Sequence, residues 1–267
     1  MGGVEVDLEG VPETLLWTLY HRAAEARRGD TVLEDPQAVA LMERIDHPFE
    51  ARFGTARLGQ WQALRASCFD GEVRRFETAR PGGTVVALGE GLETQFWRVD
   101  DGRVHWVSVD VPEVIALRRA LLPAVPRGRA VAASALDPGW MDGLDPETTL
   151  VTAQGLLMYF ERDEVHGLLR EMARRLPGAT LVFDTAPEWL AERSRSAGIT
   201  TATGYRPPPW RWGLDAGEER AIAGEVAALE PLSIPRGRGA VHGLVLPLAN
   251  RVGPARRLML SVFRARL

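Results

Sequence analysis

Between positions 84 and 184 the chain alternates short, almost wholly apolar runs with longer stretches in which apolar residues recur every three or four positions. The runs at 84–88, 104–109, 129–133, 149–153 and 179–184 have strand length. Their apolar character on both faces fits parallel strands covered on both sides. The segments between them, at 92–98, 112–122, 137–142 and 161–175, have helical spacing. Strands and helices alternating in this way, joined by right-handed crossovers, predict a doubly wound α/β sheet.

The flanks read differently. Residues 12–29 carry Leu15, Leu16, Leu19, Ala23 and Ala26 at helical spacing. Asp35-Pro36 caps a second helix ending near Ile45, and a third runs over 57–79 before Pro81-Gly82-Gly83 breaks the pattern. With no sheet of its own, the segment 1–80 is expected to pack as a helical cap on a core spanning 81–267. Beyond Asp184 a helix is expected at 187–197 and a strand at 257–263. Between them lies an irregular Pro- and Trp-rich stretch, 198–213, expected to form a substrate loop.

Composition narrows the chemistry. All 32 basic residues are arginine, which excludes Schiff-base lysines, lysine-anchored pyridoxal phosphate and the lysine of a Walker A loop. A formal net charge of −4 argues against a general nucleic-acid or acidic-membrane binder. No apolar run reaches the roughly 18 residues of a membrane span, and the acidic start MGGVEVDLEG does not resemble a signal peptide. A cytoplasmic protein is expected, with its oligomeric state open, a homodimer included. Cys68 is alone and reads as a small buried residue; no metal-ligand spacing is present, so no metal is expected.

The first strand of the alternating region runs into Gly89-Glu90-Gly91. Two glycines there permit a sharp turn and a close backbone approach to a ligand. Asp110, at the end of the second strand, follows Gly89 by 21 residues, the spacing of a carboxylate that holds ribose hydroxyls. A dinucleotide fingerprint would need glycine where Thr94 stands. S-adenosylmethionine needs only the glycine turn, the ribose carboxylate and a polar adenine contact, for which Asp137 follows the third strand.

The segments VVALGEGLETQFWRVD, VHWVSVDVPEVIALRRALLP, AASALD and VTAQGLLMYFERDEVHGLL, with ETLLWTLYHRAAEA and RASCFD before them, resemble the leucine carboxyl methyltransferase family, particularly its bacterial polyketide O-methyltransferases. The likeness covers roughly residues 13–185. It implies a Rossmann-like class I methyltransferase sheet of seven strands with a helical cap, and S-adenosyl-L-methionine as cofactor. It further implies that Arg65 binds the methionyl carboxylate, that Gly89 and Gly91 line the cofactor, that Asp110 holds the ribose and that Leu136 with Asp137 frames the adenine. Gln154 stands where the family usually has glutamate, and its carbonyl can still accept from the cofactor's ammonium. Glu93 and Gln95 replace the Asp and Arg of the usual GLDTR, and Glu90 occupies a position that is usually small.

The implied reaction is methylation of a small-molecule, polyketide-like acceptor at oxygen. A carboxylate acceptor is already ionised and needs an anchor rather than a base; a hydroxyl needs a proton acceptor. Tyr20, His21 and Arg206 are the residues expected to act on the acceptor, with Arg22, Tyr205, Trp210 and Trp212 as neighbours; His105, His166 and His242 carry no assigned role. The Glu90 and Gln154 departures keep a second reading open, a cofactor-retaining protein with a cyclase, binding or sensor role.

Overall fold

The computed structural model describes residues 4–6, 8 and 10–267. Its N-terminal part is mainly helical. A two-residue strand β1 (Val4–Glu5) pairs in parallel with β2 (Ile45–Asp46). Around this pair lie α1 (Thr14–Ala26), α2 (Pro36–Arg44), α3 (Phe49–Phe53) and α4 (Gly59–Ala79). The Asp35 carboxylate caps α2, accepting from the Ala38 N–H at 3.0 Å, with Pro36 in the first turn, where its missing N–H costs nothing. Leu15, Leu16, Leu19, Leu41, Phe49 and Phe53 form one apolar cluster.

The alternating region then supplies β3 (Thr84–Leu88), α5 (Gln95–Val99), β4 (His105–Asp110), α6 (Pro112–Leu121) and β5 (Gly128–Ala132). It continues with β6 (Thr149–Ala153), α7 (Arg162–Arg175) and β7 (Thr180–Thr185). The segment expected as a helix at 137–142 is a 3-10 turn, Pro138–Met141. After β7 come α8 (Glu188–Ser196), α9 (Ala216–Ala223) and β8 (Ala228–Leu232). A hairpin follows, built from a π-helical turn, Val241–Val245, with α10 (Leu246–Arg251) and α11 (Gly253–Arg256), before β9 (Ser261–Arg266).

The main sheet has seven strands in the order β5-β4-β3-β6-β7-β9-β8. The first five are parallel, and β9 runs antiparallel between β7 and β8. This is the doubly wound, Rossmann-like class I methyltransferase sheet that the resemblance implies. The last strand starts at Ser261 rather than at 257, and β8 and α9 had no counterpart in the sequence pattern. β8 is an edge strand with Glu230, Pro231 and exposed positions, so it lacks the apolar run that marks central strands.

Side chains alternate between the two faces of the sheet. Val86, Val107, Val151, Leu181 and Phe263 pack against Val165, Leu169 and Met172 of α7. On the other face Val85, Trp106, Leu150 and Val182 meet Leu64, Cys68, Phe69 and Val73 of α4 and Phe96 of α5. Thus α4 forms a layer of the sandwich as well as a floor for the N-terminal helices. The buried Cys68 thiol is pushed up to about 12, first by burial. No helix among the described residues is long and apolar enough to cross a membrane.

The chain leaves β3 toward β4 and β5 and returns on the other side at β6. That reversal opens a crevice at the carboxyl ends of β3 and β6.

Candidate active site

A cavity of about 550 Å³ occupies that crevice, within the range of roughly 300–1,000 Å³ common for small-molecule sites. Gly89 and Gly91 turn the chain at its edge with φ of 57° and 54°, a region that side chains with a Cβ avoid. A Cβ at position 89 would also meet Leu156 Cδ1 at 2.6 Å. Asp110 closes β4 beside this turn: its Oδ2 accepts from the Gly91 N–H at 2.7 Å and its Oδ1 from the Val111 N–H at 2.8 Å. Burial raises the pKa of Asp110, while these two N–H donors pull it the other way.

Arg65 and Gln154 also line the cavity. Arg65 reaches from α4 to Asp184 at the end of β7, Nη1 to Oδ2 at 2.8 Å, and its buried Nε has no partner. Gln154 donates from Nε2 to Glu93 Oε2 at 3.3 Å, which leaves its buried Oε1 without a donor. A buried carbonyl oxygen and a buried guanidinium N–H without partners are atoms that a ligand must satisfy. One suits an ammonium and the other a carboxylate; with Asp110 suited to hydroxyls, the set fits S-adenosylmethionine.

The floor of this end is a buried ionic network. Arg22 of α1 pairs with Asp35 at 2.8 Å and with Glu93 at 2.9 Å. Arg98 of α5 pairs with Asp35, Asp70 and Glu93, each at 2.8 Å. Burial alone would raise the Glu93 carboxyl, but Arg22 and Arg98 outweigh it and hold it down to about 2. Gln95, standing where the family pattern has arginine, donates to Asp70 instead. Arg98, about one helical turn further on, provides a guanidinium that faces Glu93 together with that of Arg22. Glu90 is buried too, paired with Arg118 at 2.8 Å and accepting from Trp106 Nε1 at 3.1 Å; burial, the largest influence, raises its pKa. Its charge is met within the protein.

Leu136 and Asp137 do not line the cavity. The Asp137 carboxylate caps the 3-10 turn, accepting from the Gly139 N–H at 3.0 Å, and Leu136 packs against the core. Ala133, Ser134 and Ala135 reach the cavity in their place.

The three residues expected to act on the acceptor lie elsewhere. Tyr20 stands about 200° around α1 from the cavity-lining Thr18; it stacks on Phe49 and donates to the Gly54 carbonyl at 2.8 Å. His21 is buried beside the rings of Trp17 and Tyr20, and desolvation lowers its pKa to about 4, so it is neutral at pH 7. Arg206 is exposed, while its neighbour Tyr205 is buried under the guanidinium of Arg52. Trp212 is also buried, donating to Glu218 at 2.8 Å. From the Pro-rich loop, Trp210 lines the cavity.

The cavity is lined further by Thr14, Trp17 and Thr18 of α1, Trp61 of α4, Met158, Tyr159 and Trp210, with His242 and Leu246 of the hairpin. The phenol of Tyr159 interacts with the side chains of Trp210 and Thr14, and its pKa is raised chiefly by burial. Nothing local in the sequence marks Trp61 and Tyr159 as cavity-lining, because each sits in an ordinary apolar pattern.

Residues 16–173, more than half of the chain, match the family model described as leucine carboxyl methyltransferase. The tetracenomycin polyketide synthesis O-methyltransferase TcmP of Streptomyces glaucescens is 32% identical over 229 residues, 85% of this chain and 83% of that protein. An S-adenosyl-L-methionine-dependent methyltransferase of Gibberella zeae, dpfgK, is 32% identical over 186 residues, 63% of this chain and 62% of its own.

Proposed function

The chain belongs to the leucine carboxyl methyltransferase family and is an S-adenosylmethionine-dependent methyltransferase; on that premise we propose that it methylates a carboxylate oxygen of a small, polyketide-like molecule. One observation carries the choice of oxygen. Each carboxylate that lines the cavity is already engaged: Glu90 by Arg118, Glu93 by Arg22 and Arg98, Asp184 by Arg65, and Asp110 by two backbone N–H groups. His21 lies outside the lining, and the imidazole within it, His242, accepts at Nδ1 from Gln60 Nε2 at 2.8 Å, so its neutral ring turns an N–H rather than a bare nitrogen outward. An acceptor that arrives ionised needs no group to take a proton from it.

The cofactor, when bound, supplies a methyl group activated by a sulfonium. Asp110 would hold its ribose, Gln154 Oε1 its ammonium and Arg65 its carboxylate. The acceptor would lie among Trp17, Trp61 and Trp210, flat faces that suit an aromatic ring system and exclude water. Tyr159, kept protonated, would donate a hydrogen bond to it. Alignment of acceptor and methyl group is the main contribution open to these residues, and in model systems it reaches about 7–11 kcal/mol. The similarity to the tetracenomycin enzyme supports a polyketide-like acceptor.

Two measurements test the reading. Calorimetry should show S-adenosylmethionine bound by the wild type and at least tenfold more weakly by Asp110→Ala, with the circular dichroism of the two alike. Transfer of labelled methyl to 2-naphthoate should exceed transfer to 2-naphthol. Preference for the naphthol would overturn the carboxylate assignment.

A further inference from the structure

The hairpin after β8 carries His242 into the cavity lining. Its Nδ1 lies 2.8 Å from Nε2 of Gln60, a residue of α4. The sense of that bond is set at the other end of the amide, where the Arg238 backbone N–H stands 2.6 Å from Gln60 Oε1. A backbone N–H can only donate, so Oε1 is the carbonyl oxygen. Gln60 Nε2 is therefore the amino group; it also donates to the Arg238 carbonyl at 3.3 Å. His242 Nδ1 must accept, and the proton of the neutral ring sits on Nε2. Nε2 makes no hydrogen bond among the described residues and is not sealed in the interior.

The arrangement is tightly built. A Cβ on Gly237 would lie 2.8 Å from His242 Cβ and from Leu64 Cδ1, and 3.0 Å from Gln60 Oε1. Its N–H donates to the His242 carbonyl at 3.0 Å. Arg238 is anchored on Glu25 of α1, with Nη2 to Oε2 at 2.8 Å. Burial first, and then the Arg238 charge, lower the pKa of His242 against a smaller opposing effect of Glu25.

We infer that His242 orients the acceptor by donating its Nε2–H to one oxygen of a carboxylate, leaving the second oxygen free for the methyl group. This inference rests on the methyl-transfer reading above. A neutral hydroxyl would need the opposite tautomer, with a bare nitrogen toward the cavity. The Gln60–Arg238 amide chain disfavours that form, because it would set an Nδ1–H against the amino group of Gln60. The same ring that could have been a base is thereby made a donor, and selects acceptors that are already ionised.

Long-range ¹H–¹⁵N spectra of the full chain with S-adenosylhomocysteine bound test this, the His242 signals being assigned by their loss in His242→Gln. At pH 7.5 Nδ1 should be unprotonated and Nε2 protonated; the opposite tautomer, or an imidazolium, overturns the inference. Addition of 2-naphthoate should shift the Nε2–H resonance; no shift also overturns it. Gln60→Glu offers Nδ1 an acceptor and should reverse the tautomer. That variant should bind 2-naphthoate about tenfold more weakly, the loss of one charge-assisted hydrogen bond, with cofactor affinity retained. Unchanged naphthoate affinity despite a reversed tautomer counts against it. Failure of the wild type to bind S-adenosylhomocysteine would defeat the parent reading as well, whereas a failed naphthoate response in a cofactor-loaded protein defeats this inference alone.

Discussion

The two ends of the cavity are built on different physics. At the cofactor end, Arg22, Asp35, Asp70, Glu93 and Arg98 are buried or nearly so and interlocked by ion pairs. They join α1, the cap of α2, α4 and α5 to the glycine turn. At the proposed acceptor end the walls are mainly aromatic and apolar side chains, and the neighbouring hairpin leaves Val241, Leu244, Val245 and Leu248 more than half exposed. A buried ionic network is unforgiving, because losing one member strands the charges of the others. An apolar wall tolerates exchange of one side chain for another of similar volume.

The largest effect should come from cutting the network. Asp35→Ala leaves Arg22 and Arg98 short of a carboxylate and uncaps α2. It should cost about 3–5 kcal/mol in urea unfolding and weaken S-adenosylmethionine binding. A cost below about 1 kcal/mol would erase the distinction between the two ends.

Trp210→Ala sharpens the comparison from the other side. Trp210 is half-buried and lines the acceptor end. The change should raise the KM for an aromatic acceptor about tenfold, the loss of one ring contact of about 1.4 kcal/mol. Cofactor affinity by calorimetry should stay the same. An equal loss of both would mean that the two ends are mechanically one.

The smallest effect is expected far from either end. Glu77 of α4 has a buried Oε1 without a partner, and burial, then Asp101 and Asp100, push its pKa up to about 7. A raised carboxyl pKa adds stability below its unfolded value of about 4.5, and that contribution is lost as pH rises through 7. Glu77→Gln should therefore stabilise the protein at pH 8 by about 1 kcal/mol, reduced from the full linkage value by solvent screening. At pH 4 it should change little. Equal thermal shifts at both pH values would show that Glu77 titrates normally.

Much of this molecule was legible in its sequence where the signal is local. Four of the five apolar runs became the buried parallel strands β3, β4, β6 and β7, apolar because both of their faces are covered, and the fifth became the more exposed edge strand β5. Asp35-Pro36 became a capped helix start, and the Gly89 and Gly91 turn stands beside Asp110 as its spacing suggested. Edge strand β8 escaped because half of it faces water. Tyr20 and His21 pack outside the cavity lining, and the sequence could not show this for a related reason: helical periodicity separates buried from exposed positions, but burial in a core and burial against a ligand leave the same imprint.

The order of elements, the doubly wound sheet, the glycine turn and the carboxylate beside it can all be read along the chain, because each follows from residues near one another in it. Folding in three dimensions is what sets Arg98 rather than residue 95 against Glu93, leaves Gln154 a free carbonyl oxygen and brings Gln60 to His242 across 182 positions. Such pairings depend on how helices and loops from distant parts of the chain pack against one sheet, and a hydrogen bond's direction depends on what its partner already holds.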